Sequence, residues 1–292
     1  LSSCYLVTSG VRQGGVLSPV LLSIYVNDIL VELNNCSVGC IVKGLVVNVF
    51  MYADDLIILS ASLTDLQRLI NVCVAELNAL QLSVNTSKCF CMRVGKRFTY
   101  CNSQVVIDSI PIKWTSEIRY LGLYLKAGLV FKINYDYCKK KFYRCLNCIL
   151  SKTGTKCADI VLSLCQSYCV PILLYGVGAI FLTASEKLRL ASPFNKLFSK
   201  LFSTFDSNTI AYCQYYTGHL PLQYIIDLRY FKFLSNLVSI ENIILNVLFS
   251  LNGTTTIGTI STRYNMVNIN GAVNYLKYCM WKQFVIDSNL NL

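Results

Sequence analysis

Apolar positions recur along the chain in two rhythms, and the change from one to the other falls near residue 127. Leu21, Leu22, Tyr25, Val26, Ile29, Leu30 and Leu33 return at helical spacing, which predicts a helix ended by Asn34-Asn35. Ser18 is placed to cap it, with Pro19 at the first helical position. Residues 45–50 and 56–59 are runs rich in Val, Ile, Leu and Phe, as expected of strands covered on both faces or nearly so. They flank Met51-Tyr52-Ala53-Asp54-Asp55, so the spacing predicts a hairpin with two aspartates at its tip. A second helix is expected where Leu66, Leu69, Ile70, Cys73, Leu77 and Leu80 form one stripe, opened by a capping box of Thr64 and Gln67. Phe90, Met92 and Val94 alternate as in a strand, and residues 105–110 and 118–125 read as further strands.

Beyond residue 127 the rhythm is helical, over residues 135–150 and 158–170 for example. Strand character returns only in the tail, where residues 253–262 are rich in Gly, Thr and Ile. The pattern predicts an α+β fold with a boundary at residues 126/127: mixed strands and helices over 1–126, mostly helix over 127–292. No internal repeat is present.

Composition narrows the class. Hydrophobic residues make up 54% and charged residues 14%, which excludes disorder and implies a large core. The longest apolar stretch, Cys169 to Leu182, contains Pro171, Gly176 and Gly178, and the run from Ile41 to Leu59 is broken by Lys43, Asp54 and Asp55. Neither is a spanning helix, so no membrane partner is expected; an intracellular location, nucleus or cytoplasm, is expected from the cysteine usage. The net charge of +11 suits a polyanionic partner or a generally basic soluble protein. The 15 cysteines include one CxxC pair, Cys145 and Cys148, and the chain has one histidine, His219. These spacings do not make a structural zinc site, and they predict reduced, buried thiols and a structural histidine.

The adjacent aspartates admit two readings. They are solvated turn residues, since Asp is common in turns. Or, held at the end of a rigid apolar hairpin, they form a doubly negative tip suited to hard divalent cations such as Mg²⁺.

Phe50 to Asp55 resembles the F-x-Y-A-D-D box of reverse transcriptases, and Gly10 to Pro19 resembles the G-x-R-Q-G-x-x-L-S-P box before it. Leu82 to Lys88, with Asn85 and Lys88, resembles the next family block, and Tyr120-Leu121-Gly122 the block called the primer grip. The blocks stand in family order over residues 1–125. The segment Tyr168 to Gly176 is similar to the helical region after the palm in LINE-like elements, so the resemblance is to the non-LTR retrotransposon type. It implies a partial right-hand polymerase palm, an antiparallel sheet with helices on one face, over residues 1–126, and a thumb-like helical region with a C-terminal extension over 127–292. It implies RNA-directed DNA polymerase activity by two-metal nucleotidyl transfer, with RNA template, DNA primer and dNTPs as partners, Mg²⁺ or Mn²⁺ as cofactor and no small-molecule cofactor.

The resemblance also implies roles. Asp54 and Asp55 would bind metal. Lys88 would face the leaving pyrophosphate, or be a solvated lysine. Gln13 and Gly14 would lie near nucleotide and template, where Arg12 would hold a phosphate or else order its own loop. Tyr52 would approach the primer end, or be a core aromatic. Leu121 and Gly122 would grip the primer. Lys139, Lys140, Lys141 and Arg144, interleaved with Tyr137, Phe142 and Tyr143, would meet nucleic-acid backbone or form a solvated basic face. The family's first catalytic aspartate lies upstream of the R-Q-G box, and none of the nine residues before Gly10 is acidic. The chain is therefore expected to be a C-terminal fragment, inactive alone. The alternative is a decayed or co-opted retroelement remnant that binds nucleic acid without catalysis.

Overall fold

The computed structural model describes residues 14–99, 103–155, 157–267 and 273–290. It is a mixed helix-and-strand structure of two compact units, Leu1–Lys132 and Ile133–Leu292. The mixed α+β character is as the hydrophobic rhythm predicts.

In the first unit, α1 (Ser18–Tyr25) and α2 (Asn27–Asn35) precede β1 (Cys40–Val42), β2 (Leu45–Val47), β3 (Val49–Tyr52) and β4 (Asp55–Ile58). The helix α3 (Leu63–Ala79) follows, then short strands: β5 (Phe90–Cys91), β6 (Val106–Ile107), β7 (Ile110–Pro111), β8 (Lys113–Trp114), β9 (Glu117–Tyr120) and β10 (Leu123–Lys126). Pairs β1–β2, β3–β4, β6–β7 and β9–β10 are antiparallel, and β5–β8 is parallel. The single antiparallel sheet expected from sequence is thus replaced by separate small ladders.

One cause of that fragmentation is Asn48. It interrupts the apolar run 45–50, is 1% exposed, and donates from Nδ2 to the carbonyls of Leu33 (2.5 Å) and Val38 (3.3 Å). A buried amide must find partners. Here it takes them from the end of α2 and the following loop, and the chain breaks into β2 and β3.

The β3–β4 hairpin is covered on one face only. Val49, Met51, Leu56 and Ile58 pack against a core of Val26, Ile29, Leu33, Leu69 and Cys73 from the α1–α2 junction, α2 and α3. Phe50 and Tyr52 point away and are 42% and 64% exposed. This corrects the expectation of strands covered on both faces. The reason is the two-residue period of a strand, which sends alternate side chains to opposite sides even where all are apolar. No residue of α1 is buried, and Val20, Leu21 and Ile24 are all exposed.

Two predicted caps also move. Leu17, already in helical dihedrals at φ −83° and ψ −18°, precedes α1, so Ser18 is the first helical residue and not the cap. Ser62, extended at φ −123° and ψ 153°, caps α3 by accepting the Asp65 N–H at 3.1 Å, in place of Thr64. Gln67 is then free to tie α3 to β6: its amide accepts the Val106 N–H and donates to the Val106 carbonyl, both at 2.8 Å.

The second unit contains α4 (Asp136–Thr153), α5 (Ala158–Leu164), a π-helical run (Cys165–Cys169), α6 (Val170–Leu173), α7 (Ala184–Phe202), α8 (Ser207–Tyr216), α9 (Leu222–Leu237), α10 (Ile243–Arg263) and α11 (Val273–Asp287). Pro171, which has no N–H to donate back along the helix, follows the widened π turn. One core gathers Phe142, Leu146, Cys165, Cys169, Phe194 and Phe198; another gathers Tyr224, Phe231, Tyr264, Met280 and Phe284. His219 has a structural setting: its ring meets Phe198 edge-on at 5.9 Å, and burial pushes its pKa down.

The strand expected at residues 253–262 is helix α10. Asn242 caps it, accepting the N–H groups of Ile244 (3.0 Å) and Leu245 (3.1 Å). Its threonines turn their hydroxyls onto the preceding turn: Thr256 to Asn252 O (2.7 Å), Thr259 to Thr255 O (2.8 Å) and Thr262 to Gly258 O (3.0 Å). Among the described residues α10 alone is long and apolar enough to cross a membrane, with mean hydropathy 1.4 over its best window, 11% of which is buried. The apolar runs weighed in the sequence did not include it, because its middle reads as strand.

Candidate active site

The aspartate pair sits at a hairpin tip, as the sequence predicts, with Asp54 in the loop and Asp55 opening β4. Tyr52 pairs with Asp55 at the turn end of the β3–β4 ladder, so the connection is the two residues Ala53 and Asp54. Ala53 adopts φ +53°, the left-handed conformation that glycine usually fills at such a loop. Substitution Ala53→Gly should remove a steric cost of about 1–2 kcal/mol. It gives back about 0.4–1 kcal/mol in unfolded-chain entropy. A net gain of about 0.5–1 kcal/mol in urea unfolding is expected, and a loss would show that the turn is not under strain.

Asp54 and Asp55 are both exposed. Among the described residues neither has a Lys or Arg nitrogen within 4.0 Å, although the chain carries 26 such residues. Two adjacent carboxylates without a countercharge repel, so the site favours an external cation. Two exposed carboxylates are a donor set that a hard ion keeping several of its own waters, such as Mg²⁺, accepts. Among the described residues no group of three or more metal-ligating side chains occurs, so the set of carboxylates stops at two.

The β9–β10 hairpin carries the Tyr120-Leu121-Gly122 block. Tyr120 ends β9, and its phenol pKa is raised, first by burial and then by the charge of Asp55. Leu121 and Gly122 form the β9–β10 loop with φ +45° and +82°, the two positive values of a type I′ turn. The charge of Asp55 is therefore felt at the Tyr120 phenol. Tyr52 is 64% exposed and is not a core aromatic.

The other sequence candidates are placed less tightly. Arg12 and Gln13 lie outside the described residues. Gly14 is exposed at φ +78°, and a Cβ there would meet nothing within 4 Å, so its requirement for glycine is conformational. Lys88 is exposed at the end of a 3-10 turn (Thr86–Lys88) and makes no ion pair with either aspartate.

The basic run on α4 is split by helical geometry, which turns successive residues by about 100°. Lys139 pairs with Asp136 at 3.3 Å, Lys140 lies over the Tyr137 ring at 5.8 Å, and Phe142 is buried in the core. Lys141 and Arg144 instead join Lys152, which the sequence reading missed, along a groove of about 660 Å³ floored by Cys145, Ile149 and Ile172. Lys141, Arg144, Cys148 and Lys152 recur at helical spacing, so the stripe was available in the periodicity. Tyr168, from the π-helical run, completes the rim.

Residues 3–125 match the family model described as reverse transcriptase (RNA-dependent DNA polymerase). That segment is a reverse transcriptase domain of the non-LTR retrotransposon kind. In particular, the chain is 30% identical over 126 residues to the retrovirus-related Pol polyprotein from type-2 retrotransposable element R2DM of Drosophila melanogaster. It is also 26% identical over 197 residues to the RNA-directed DNA polymerase from mobile element jockey of Drosophila funebris. The first match covers 40% of this chain and 12% of the relative; the second covers 64% and 21%. The chain thus corresponds to a fifth or less, approximately, of the length of these relatives.

Proposed function

We propose that this chain contributes the carboxylate-bearing part of an RNA-directed DNA polymerase. In this reading residues 1–126 are palm and 127–292 a thumb-like region with its extension. The observation that carries it is the exposed Asp54-Asp55 pair, Asp54 on the two-residue loop and Asp55 opening β4, without a countercharge among the described residues.

The reaction is attack of a primer 3′-OH on the α-phosphate of a dNTP, with pyrophosphate leaving. Asp54 and Asp55 would hold Mg²⁺ or Mn²⁺, which when bound supplies positive charge at the attacking and leaving oxygens. Lys88 would donate a proton to the departing pyrophosphate. Tyr52 would face the primer end, and Arg12, Gln13 and Gly14 the nucleotide and template. Leu121 and Gly122 would hold the primer strand against the aspartates, a reading supported by the charge of Asp55 felt at the Tyr120 phenol.

Two carboxylates fall short of the three that a palm polymerase employs, so the chain alone would bind primed template without extending it. A longer polypeptide supplying a third carboxylate should extend a DNA primer on an RNA template. Extension by this chain alone would overturn the two-carboxylate reading. Binding without extension by the longer polypeptide would favour the alternative, a remnant that binds nucleic acid without catalysis.

In the second unit, Lys141, Arg144 and Lys152 would contact nucleic-acid backbone. Each phosphate contact contributes about 0.7–0.9 to the slope of log K against log salt. Charge reversal of all three should flatten the slope by about 2–3, whereas reversal of Lys139 and Lys140 should change it less. Filter binding across a salt series checks this, and equal effects would remove the groove from the interface.

A further inference from the structure

We propose that the notch between α8 and α11 binds single-stranded RNA, taking an unstacked base on its aromatic wall and a neighbouring phosphate at Lys282. The notch, about 470 Å³, is lined by Tyr215, Tyr216, Gly218, Trp281, Lys282 and Val285. That volume lies within the range of about 300–1,000 Å³ typical of clefts that take small organic groups.

Its wall is built from aromatic pairs. Tyr215 meets Trp281 edge-to-face at 6.0 Å and 80°. Tyr216 stacks on Tyr212 at 6.4 Å and 15°, yet remains 72% exposed. Trp281 is anchored from behind by Phe284 at 5.9 Å, so the wall is fixed to the core. A fixed and exposed aromatic surface offers stacking to any base, because every base has a π-face.

The charge is of the matching sign. Lys282 lies over Tyr278 at 4.6 Å, held at the rim, and the hydrogen bond its ammonium donates to the Tyr278 hydroxyl raises its pKa. None of the lining residues is acidic. Residues 133–292 contain 15 Lys and Arg against 7 Asp and Glu, a net charge of +8, so most of the chain's excess of +11 surrounds this unit. An aromatic wall by itself would also suit a methylated ammonium group. A lysine on the rim disfavours that cation and attracts a phosphate. The carbonyls at the end of α8 do not compete, because Gly218 (φ +71°) and His219 donate to Tyr215 O at 3.0 Å and Gln214 O at 2.8 Å.

This site lies in the second unit and does not depend on the polymerase reading of Asp54 and Asp55. The test uses the full chain carrying a solubility tag, with a fluorescein-labelled oligouridylate of about 12 nucleotides, within the usual footprint of a single-strand-binding module. Anisotropy reads affinity, and a 4-thiouridine version reads the contact by crosslink mapping. Crosslinks within residues 207–218 or 273–287 are expected, with little crosslinking of a blunt RNA duplex of the same length. The variant Tyr216→Ala/Lys282→Glu changes exposed positions and should keep the parent's circular dichroism. It should bind about tenfold or more weakly, the loss expected for one stacked base and one phosphate. Asp54→Asn/Asp55→Asn should leave these crosslinks in place even where any polymerase activity is lost. Parent-like affinity of the double variant, crosslinks only elsewhere, equal crosslinking of the duplex, or displacement of the RNA by a trimethyllysine or proline-rich peptide would overturn the proposal.

Discussion

Asp54→Asn, placed in a polypeptide that extends primers, is expected to slow nucleotide addition by about 10²–10³-fold, the loss typical when one pre-positioned electrostatic group is removed from a reacting centre. The same substitution should leave folding stability within about 0.5 kcal/mol, as for other exposed positions. Asp54 lies on the loop, outside the β3–β4 ladder, and no cation among the described residues depends on it. Neutralising it also removes repulsion with Asp55, which favours the folded hairpin slightly. The two effects therefore separate: single-turnover extension at saturating dNTP reads the first, and urea unfolding the second. Asp55→Asn should be milder in rate if Asp55 is the outer member of the pair. A rate within about threefold of the parent for both variants would mean that the pair is a solvated turn and no more.

That hairpin was legible because its signal is local. Two apolar runs and a polar interruption lie within residues 45–59, and the ladder closes between Tyr52 and Asp55 with no help from distant residues. The influence of Asp55 on Tyr120 has no local signal, since 65 positions separate them and no periodicity links them. The errors have physical causes too. Asn48 has the polarity of a turn residue but is drawn inward to satisfy carbonyls at the end of α2 and in the loop after it. The helix α10 reads as strand because Thr and Ile favour strands and Gly weakens helices. In the structure the threonine hydroxyls bond the turn before them, which removes their competition with the helix backbone.

The candidate interfaces divide in the same way. Lys139, Lys140, Lys141 and Arg144 are contiguous in sequence, and contiguity suggested one patch. A helix distributes neighbours around its axis, so Lys141 and Arg144 associate with Lys152 and, across the groove, with Tyr168. The aromatic notch is less accessible still: Tyr215 and Trp281 are 66 residues apart, and each alone is an ordinary helix residue. Helical periodicity recovers the first arrangement once it is preferred to contiguity. The second needs the packing of α8 against α11.

The largest stability effect in the second unit is expected at Asp227. It lies on α9, 1% exposed, and its two oxygens take three partners from other parts of the unit. Lys187 on α7 donates to Oδ1 at 2.5 Å; Arg263, the last residue of α10, and the Tyr264 hydroxyl donate to Oδ2 at 3.2 and 2.6 Å. The Tyr264 phenol pKa is pushed up, first by burial and then by Asp227, so it stays a protonated donor. Asp227→Ala would strand this set. The Arg263 side chain, 46% exposed, can turn to water, but Lys187 at 19% is more confined, and the Tyr264 hydroxyl loses its acceptor. Breaking a buried pair by removing one member costs about 3–5 kcal/mol. That is a large fraction of the about 5–15 kcal/mol that holds a domain together. Asp227→Asn keeps the shape and part of the hydrogen bonding, and should cost less, about 1.5–3 kcal/mol, the range for hydrogen bonds to charged groups. Asp227→Leu combined with Lys187→Met removes both charges and should recover much of the loss, because an apolar replacement of a buried pair is often close to neutral. Urea denaturation followed by circular dichroism would rank the three. If Asp227→Ala cost under about 1 kcal/mol, water would have to reach Asp227 in the folded state, and the three helices would be held by their apolar contacts alone.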